Sequence, residues 1–136
     1  MRINKGKVPL EDEESIAFHQ WLQKKGIPHT HIANEMGGSL PAMKARALKA
    51  KKMGTSKGFP DFLVFIPVIG VNKTVDAYQP VAIEMKRQRG STTSSEQKEW
   101  LKIIEDSGIP AVVCKGAVDA AKTINKILET IGENYV

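Results

Sequence analysis

The sequence predicts an α/β fold, a mixed central β-sheet flanked by helices. Two observations carry this expectation. Segments of helical period alternate with short apolar, β-rich runs in the order helix, strand, helix, two strands, helix, strand, helix. The 136 residues, 41% hydrophobic and 26% charged, suit one packed domain and neither a disordered nor a membrane-spanning chain. No internal repeat or linker divides it, so the expected organisation is one domain over residues 1–136, with a short basic tail at about 1–9.

Leu10 to Lys25 reads as the first helix, with Ala17, Phe18, Trp21 and Leu22 as its apolar stripe and Gly26 as its stop. Glu11, Asp12, Glu13 and Glu14 gather at its start, where the helix dipole favours negative charge without any further role. Pro28 to Ala33 is a short strand, and Asn34 to Gly38 a turn. Ser39 then caps a second helix, with Pro41 just inside it, running to about Met53. Phe62 to Val68 and Val81 to Met85 are strands, joined in hairpin fashion by a polar connection from Gly70 to Ala77, with Pro80 at a strand edge. Gly90 to Ser95 is a loop, and Ser94 with Gln97 fits a capping box opening a helix to about Ser107. Gly108 ends it, and Ile109 to Cys114 is the last strand. A final helix carries Val118, Ala121, Ile124, Leu128 and Ile131 on one face.

Several classes are set aside by composition. No apolar run approaches the roughly 18 residues of a membrane helix, and the N-terminal residues lack the apolar stretch of a secretory signal, so a cytoplasmic setting is expected. The single cysteine, Cys114, has no partner for an internal disulfide and reads as a buried strand thiol. The net charge is +5, and between Glu35 and Asp61 no acid occurs, while Lys44, Arg46, Lys49, Lys51, Lys52 and Lys57 all do. That stretch suits a polyanion, and equally a solvated helix face.

The chemistry concentrates in Pro60-Asp61 at the opening of one strand and Ile83-Glu84-Met85-Lys86 at the end of the next, with Glu84 23 residues after Asp61. Side chains two apart on a strand share a face, so Glu84 and Lys86 point together, and pairing of the strands brings Asp61 beside them. Two adjacent carboxylates repel when ionised, and a hard divalent cation, magnesium or manganese, removes that repulsion. Such an ion activates water and neutralises a phosphate, with Lys86 beside it to position the nucleophile or stabilise charge, a set suited to phosphodiester hydrolysis. The same residues also fit a plainer role, with Asp61 as a turn residue after proline and Glu84 with Lys86 as a same-face ion pair.

The series Gly58-Phe59-Pro60-Asp61, Ile83-Glu84-Met85-Lys86, Ser95-Glu96-Gln97 and Trp100-Leu101, with the loop His31-Ile32-Ala33-Asn34 and the basic helix before Gly58, resembles the VRR-NUC nucleases from about Glu11 to about Ile127. These are PD-(D/E)xK enzymes with a restriction-endonuclease-like core, found as stand-alone viral and bacterial proteins and as the catalytic module of the Fanconi-associated nuclease. The resemblance implies Asp61 and Glu84 as metal ligands, Lys86 as the catalytic lysine and Gln97 as an active-site residue. It also implies the backbone carbonyl of Met85 as a metal ligand. The family further uses a glutamate on the first helix. Glu14 is the expected one, since Phe18 and Trp21 at i+4 and i+7 mark its face as inward, with Glu11 as the alternative. The family's glutamine four residues after that glutamate has no counterpart, because Ser15 follows Glu11 and Phe18 follows Glu14 at that spacing.

The expected activity is therefore magnesium- or manganese-dependent, structure-selective cleavage of DNA. By analogy with stand-alone members, the expected form is a homodimer acting on branched DNA such as Holliday junctions, of viral origin in a bacterial host. A flap-specific nuclease and a non-catalytic DNA-binding protein of the same fold are the alternatives. Arg87 and Arg89, following Lys86, join the basic helix and Lys57 as expected phosphate contacts. His29 and His31 share a strand face, but lack a third ligand nearby and read as packing or DNA contacts. Trp21 and Trp100 read as core residues.

Overall fold

A computed structural model describes residues 7–32 and 40–134. The expected turn at 34–38, the Ser39 cap, Ala33 and most of the N-terminal tail lie outside the described residues. Among the described residues, four helices and four strands follow one another as α1 (Glu11–Lys25), β1 (His29–His31), α2 (Leu40–Lys52), β2 (Phe62–Ile69), β3 (Val75–Lys86), α3 (Ser95–Asp106), β4 (Ala111–Lys115) and α4 (Ala117–Asn134). The strands form one sheet in the order β1-β2-β3-β4, antiparallel through β3 and parallel between β3 and β4. The mixed sheet flanked by helices is thus as the sequence predicts.

Alternation along the strands splits the sheet into two unlike faces. Val64, Ile66, Val81, Ile83 and Met85 pack with Phe18 and Leu22 of α1 and Ala120 and Ile124 of α4. On the other face Leu63 and Ala82 meet Leu101 and Ile104 of α3 in a smaller cluster. Glu14, Phe18 and Leu22 recur at intervals of four, and they form the buried line of α1. Gly26, at φ 69°, ends that helix in the left-handed region that glycine adopts without strain. Cys114 is buried beside Thr123, and burial pushes its thiol up to about 11, which fits the structural role expected of it.

One boundary differs from expectation. The polar connection was expected to run from Gly70 to Ala77, yet β3 begins at Val75 and its first four residues, Val75 to Tyr78, pair with β2. These residues are exposed where β3 pairs with β2 alone, before β4 joins at Ala82, so polarity marks the outer end of a strand and not only a connection. The turn itself is shorter, closed by Gly70 N–H to Thr74 O at 2.9 Å and Lys73 N–H to Gly70 O at 3.0 Å. Pro80 lies in β3 just before β4 begins to pair at Ala82, so the donor that proline lacks faces the unpaired edge.

Phe18 is fully buried and meets the Phe62 ring edge-on at 5.1 Å between centroids, joining α1 to the sheet. Replacing Phe18 with alanine is expected to cost roughly 3–5 kcal/mol, read as a lowered urea midpoint with an unchanged slope.

Candidate active site

The β2–β3 register pairs Phe62 with Ile83, and one further step places Asp61 opposite Glu84. Asp61 Oδ2 accepts the Met85 N–H at 2.8 Å, which locks its carboxylate against the end of β3 where the β2 backbone leaves the sheet. Glu84 and Lys86 alternate with the core residues Ile83 and Met85, so they project from the opposite face, toward α3. Both are buried, Glu84 to 1% exposure and Lys86 to 7%.

Gln97 joins them. Its Nε2 donates to Glu84 Oε1 at 2.8 Å and its Oε1 accepts from Lys86 Nζ at 2.9 Å, while Lys86 Nζ stands 3.8 Å from the same Glu84 oxygen. The capping box is also formed: Gln97 Oε1 accepts the Ser94 N–H at 2.9 Å, and the Gln97 N–H donates to Ser94 Oγ at 3.1 Å. One side chain thus closes the expected capping box and bonds to both Glu84 and Lys86. Gly58 permits the closeness of α3. It sits at φ +90°, and a Cβ there would come within 2.8 Å of the Glu96 backbone and 2.9 Å of Gln97 N.

A cavity of about 380 Å³ opens above these groups, with Glu11, His31, Lys57, Phe59, Asp61 and Gln97 among its walls. Among the described residues, Glu11, Asp61 and Glu84 each place a carboxylate oxygen within 4.8 Å of the others. Glu14, the expected first-helix member, is not in this group. Its carboxylate lies against Gly116 and accepts from Gln88 Nε2 at 3.4 Å. The inward face of α1 looks onto the Met85 side of the sheet, whereas the acids gather on the other side; Glu11, at the very start of the helix, lines the cavity with Asp12 and Ser15 and is the one that joins Asp61 and Glu84.

Burial raises the Asp61 carboxyl above its ordinary range, against the pull of the Met85 N–H, and burial with the charge of Asp61 pushes Glu84 up to about 8, against the pull of Lys86. Glu84 Oε2 is buried with no hydrogen-bond partner. A buried carboxylate with one orphaned oxygen, grouped with two more carboxylates, is a set of hard oxygen donors, the chemistry that fits a divalent cation such as magnesium or manganese.

The remaining expected residues divide. Lys44, Arg46, Lys49, Lys51 and Lys52 are exposed on α2, Lys57 is exposed at the cavity rim, and Arg89 is exposed after β3. Arg87 is not turned to solvent as a phosphate contact would be: half-buried, it donates to the carbonyls of Val8 at 2.9 Å and Pro9 at 3.2 Å. His29 takes His19 at 2.7 Å and the Ile27 carbonyl at 2.8 Å, and His31 packs edge-on against Phe62 at 4.9 Å, so both histidines are engaged within the fold. Both tryptophans are half-buried and packed on aromatic neighbours, Trp21 against Phe18 of the core at 6.2 Å and Trp100 against Phe59 at 5.2 Å. Gly58 and the Arg87 anchor had no assigned role in the sequence reading, since both depend on contacts between distant segments.

A family model described as the VRR-NUC domain matches residues 10–118, a span that contains every residue of the cluster. A solved structure titled "VRR_NUC domain protein" superposes with a TM-score of 0.64 at 25% identity, covering 88% of each chain. No curated protein matches the sequence.

The raised Glu84 carboxyl fixes the sign of a pH effect. Between its ordinary value of 4.5 and about 8, the folded protein holds a proton that the unfolded chain has released, so stability falls as pH rises through that window. In chelator, the melting temperature is expected to drop by about 5 °C or more from pH ~5.5 to pH ~8.5. Glu84→Gln is expected to flatten that dependence, and an unchanged slope in the variant would assign it elsewhere.

Proposed function

The chain belongs to the VRR-NUC domain family, and from that membership we propose a metal-dependent endodeoxyribonuclease that hydrolyses phosphodiester bonds in branched DNA. The observation that carries the reading is the convergence of Asp61, Glu84 and Glu11 on one cavity with Lys86 and Gln97 bonded into the same cluster. The three carboxylates, joined by the Met85 carbonyl, are the oxygens that would hold magnesium or manganese. Such an ion lowers the pKa of bound water and offsets charge on the scissile phosphate.

The chain's own groups have separable tasks. Asp61, tied to the Met85 N–H, is fixed in direction before any ligand arrives, and Glu84 is fixed by Gln97. Lys86 brings a positive charge within the cluster, aimed by the Gln97 amide, where it orients an attacking water or stabilises the charge that builds on the phosphorane oxygens. Gln97 holds Glu84 and Lys86 apart from a closed ion pair, leaving the ammonium 3.8 Å from the carboxylate.

DNA reaches the cavity along the basic side. Lys57 and Gly58 line both the acidic cavity and a groove of about 480 Å³ beneath α2, where Ala47, Ala50, Lys51, Thr55 and Ser56 supply small and cationic walls. The exposed cations of α2 and Arg89 extend that track, a pattern that reads backbone phosphates and shape in preference to base sequence. Two copies related by a two-fold axis would present two such sites to a four-way junction, which makes Holliday junctions the favoured substrate.

The test compares wild type, Asp61→Ala and Lys86→Ala on labelled four-way junction, flap and linear duplex DNA, with magnesium, manganese or chelator. Cleavage is expected only with metal, is expected to vanish in Asp61→Ala, and is expected to fall about 10²–10³-fold in Lys86→Ala with junction binding retained. Binding without cutting under either metal would make the protein a DNA-binding module, and preference for flaps would replace the junction assignment.

A further inference from the structure

We infer that Arg87 is a positioning residue that sets the metal affinity of the site by holding Glu11 in it. The inference rests on the metal reading proposed above. Arg87 directly follows Lys86, the last residue of β3, and its side chain leaves the strand for the segment that leads into α1. Two N–H groups of its rigid guanidinium meet consecutive carbonyls, Nη2 to Val8 O at 2.9 Å and Nε to Pro9 O at 3.2 Å. Val8 and Pro9 belong to neither helix nor strand, so no ladder orients them. The helix begins immediately beyond: the Leu10 carbonyl accepts the Glu14 N–H at 3.0 Å, and the Leu10 N–H is taken by Glu13 Oε1 at 3.0 Å. Glu11 is two residues from the carbonyl that Arg87 grips.

A second tie comes from the next residue. Gln88 Nε2 donates to Glu14 Oε2 at 3.4 Å, and Glu14 fits against Gly116, where a Cβ would leave no room for its carboxylate. The first turn of α1 is therefore pinned by both residues that follow Lys86. The strand carrying Glu84 and Lys86 and the helix carrying Glu11 come from distant parts of the chain, and their carboxylates must agree within a few ångströms to share one ion. Arg87 and Gln88 supply the rigid connection between them. Supporting shells of this kind, which orient ligands without touching the metal, typically change metal affinity by about 10–100-fold when removed.

Manganese affinity of the full chain without DNA, measured by titration calorimetry, tests this in wild type, Arg87→Ala, Arg87→Lys, Glu11→Gln, Asp61→Ala and the Arg87→Ala/Glu11→Gln double variant. Arg87→Ala is expected to weaken binding about tenfold, Arg87→Lys by less, and Arg87→Ala to add nothing once Glu11 is glutamine. Should Arg87→Ala fail to fold, Arg87→Lys, which keeps one donor and the charge, carries the comparison. Junction affinity in chelator, followed across salt concentrations, is expected to match wild type. Wild-type manganese affinity in both Arg87 variants, with binding lost in Asp61→Ala, would overturn the inference. If junction affinity fell instead, with a salt slope reduced by about one, Arg87 would be a phosphate contact. Equal losses from Arg87→Ala with and without Glu11 would show that it does not act through Glu11. Failure of the wild type to bind manganese, or undiminished binding by Asp61→Ala, would remove the metal reading itself.

Discussion

Two carboxylates, Asp61 and Glu84, are brought side by side at the buried end of a hairpin, and most of the surrounding structure answers to the cost of keeping them there. Charge in a poorly solvated place is costly, which is why burial raises both carboxyls and the Asp61 charge raises Glu84 further, while one Glu84 oxygen is left without a hydrogen-bond partner. Met85 N–H, the Gln97 amide and the Lys86 ammonium each offset part of that cost. None removes it. A protein that buries acids with incomplete compensation retains a strong preference for whatever cation completes the set, and that preference is the physical content of a metal site.

The layers divide the labour. One face of the sheet is a conventional apolar core under α1 and α4, which gives β3 a fixed backbone. The opposite face at the end of β3 then has freedom to hold charge, because α3 covers it only as far as the small cluster around Ala82 and Ile104 before giving way to Gln97 and the cavity. Alternation along a single strand thus lets Met85 stabilise the fold while its neighbours Glu84 and Lys86 join the polar cluster with Gln97.

Much of this was legible in the residues. The strand positions of Glu84 and Lys86 follow from a period of two, and Asp61 opposite them follows from the hairpin. The choice of Glu14 over Glu11 shows where such reading stops. Phe18 and Trp21 correctly mark the inward face of α1, but inward for that helix means the apolar side of the sheet, and which side holds the acids depends on how α1 and α3 are layered. Arg87 is a similar case: its charge pattern suits phosphate, and only the tertiary approach of Val8 and Pro9 engages it elsewhere. The polar run from Gly70 to Ala77 suggests a connection throughout, because polarity alone does not distinguish a loop from the exposed end of a strand such as Val75 to Tyr78.

Gln97 closes the first turn of α3 and spans Glu84 and Lys86 with the same amide. Helix ends fray more readily than helix middles, and a frayed α3 would release both polar partners at once. The site therefore behaves as one cooperative unit with a helix terminus. It can be dismantled by a local opening of a single turn while the sheet beneath remains intact, so whatever holds the Ser94 end of α3 in place also holds the charged cluster together.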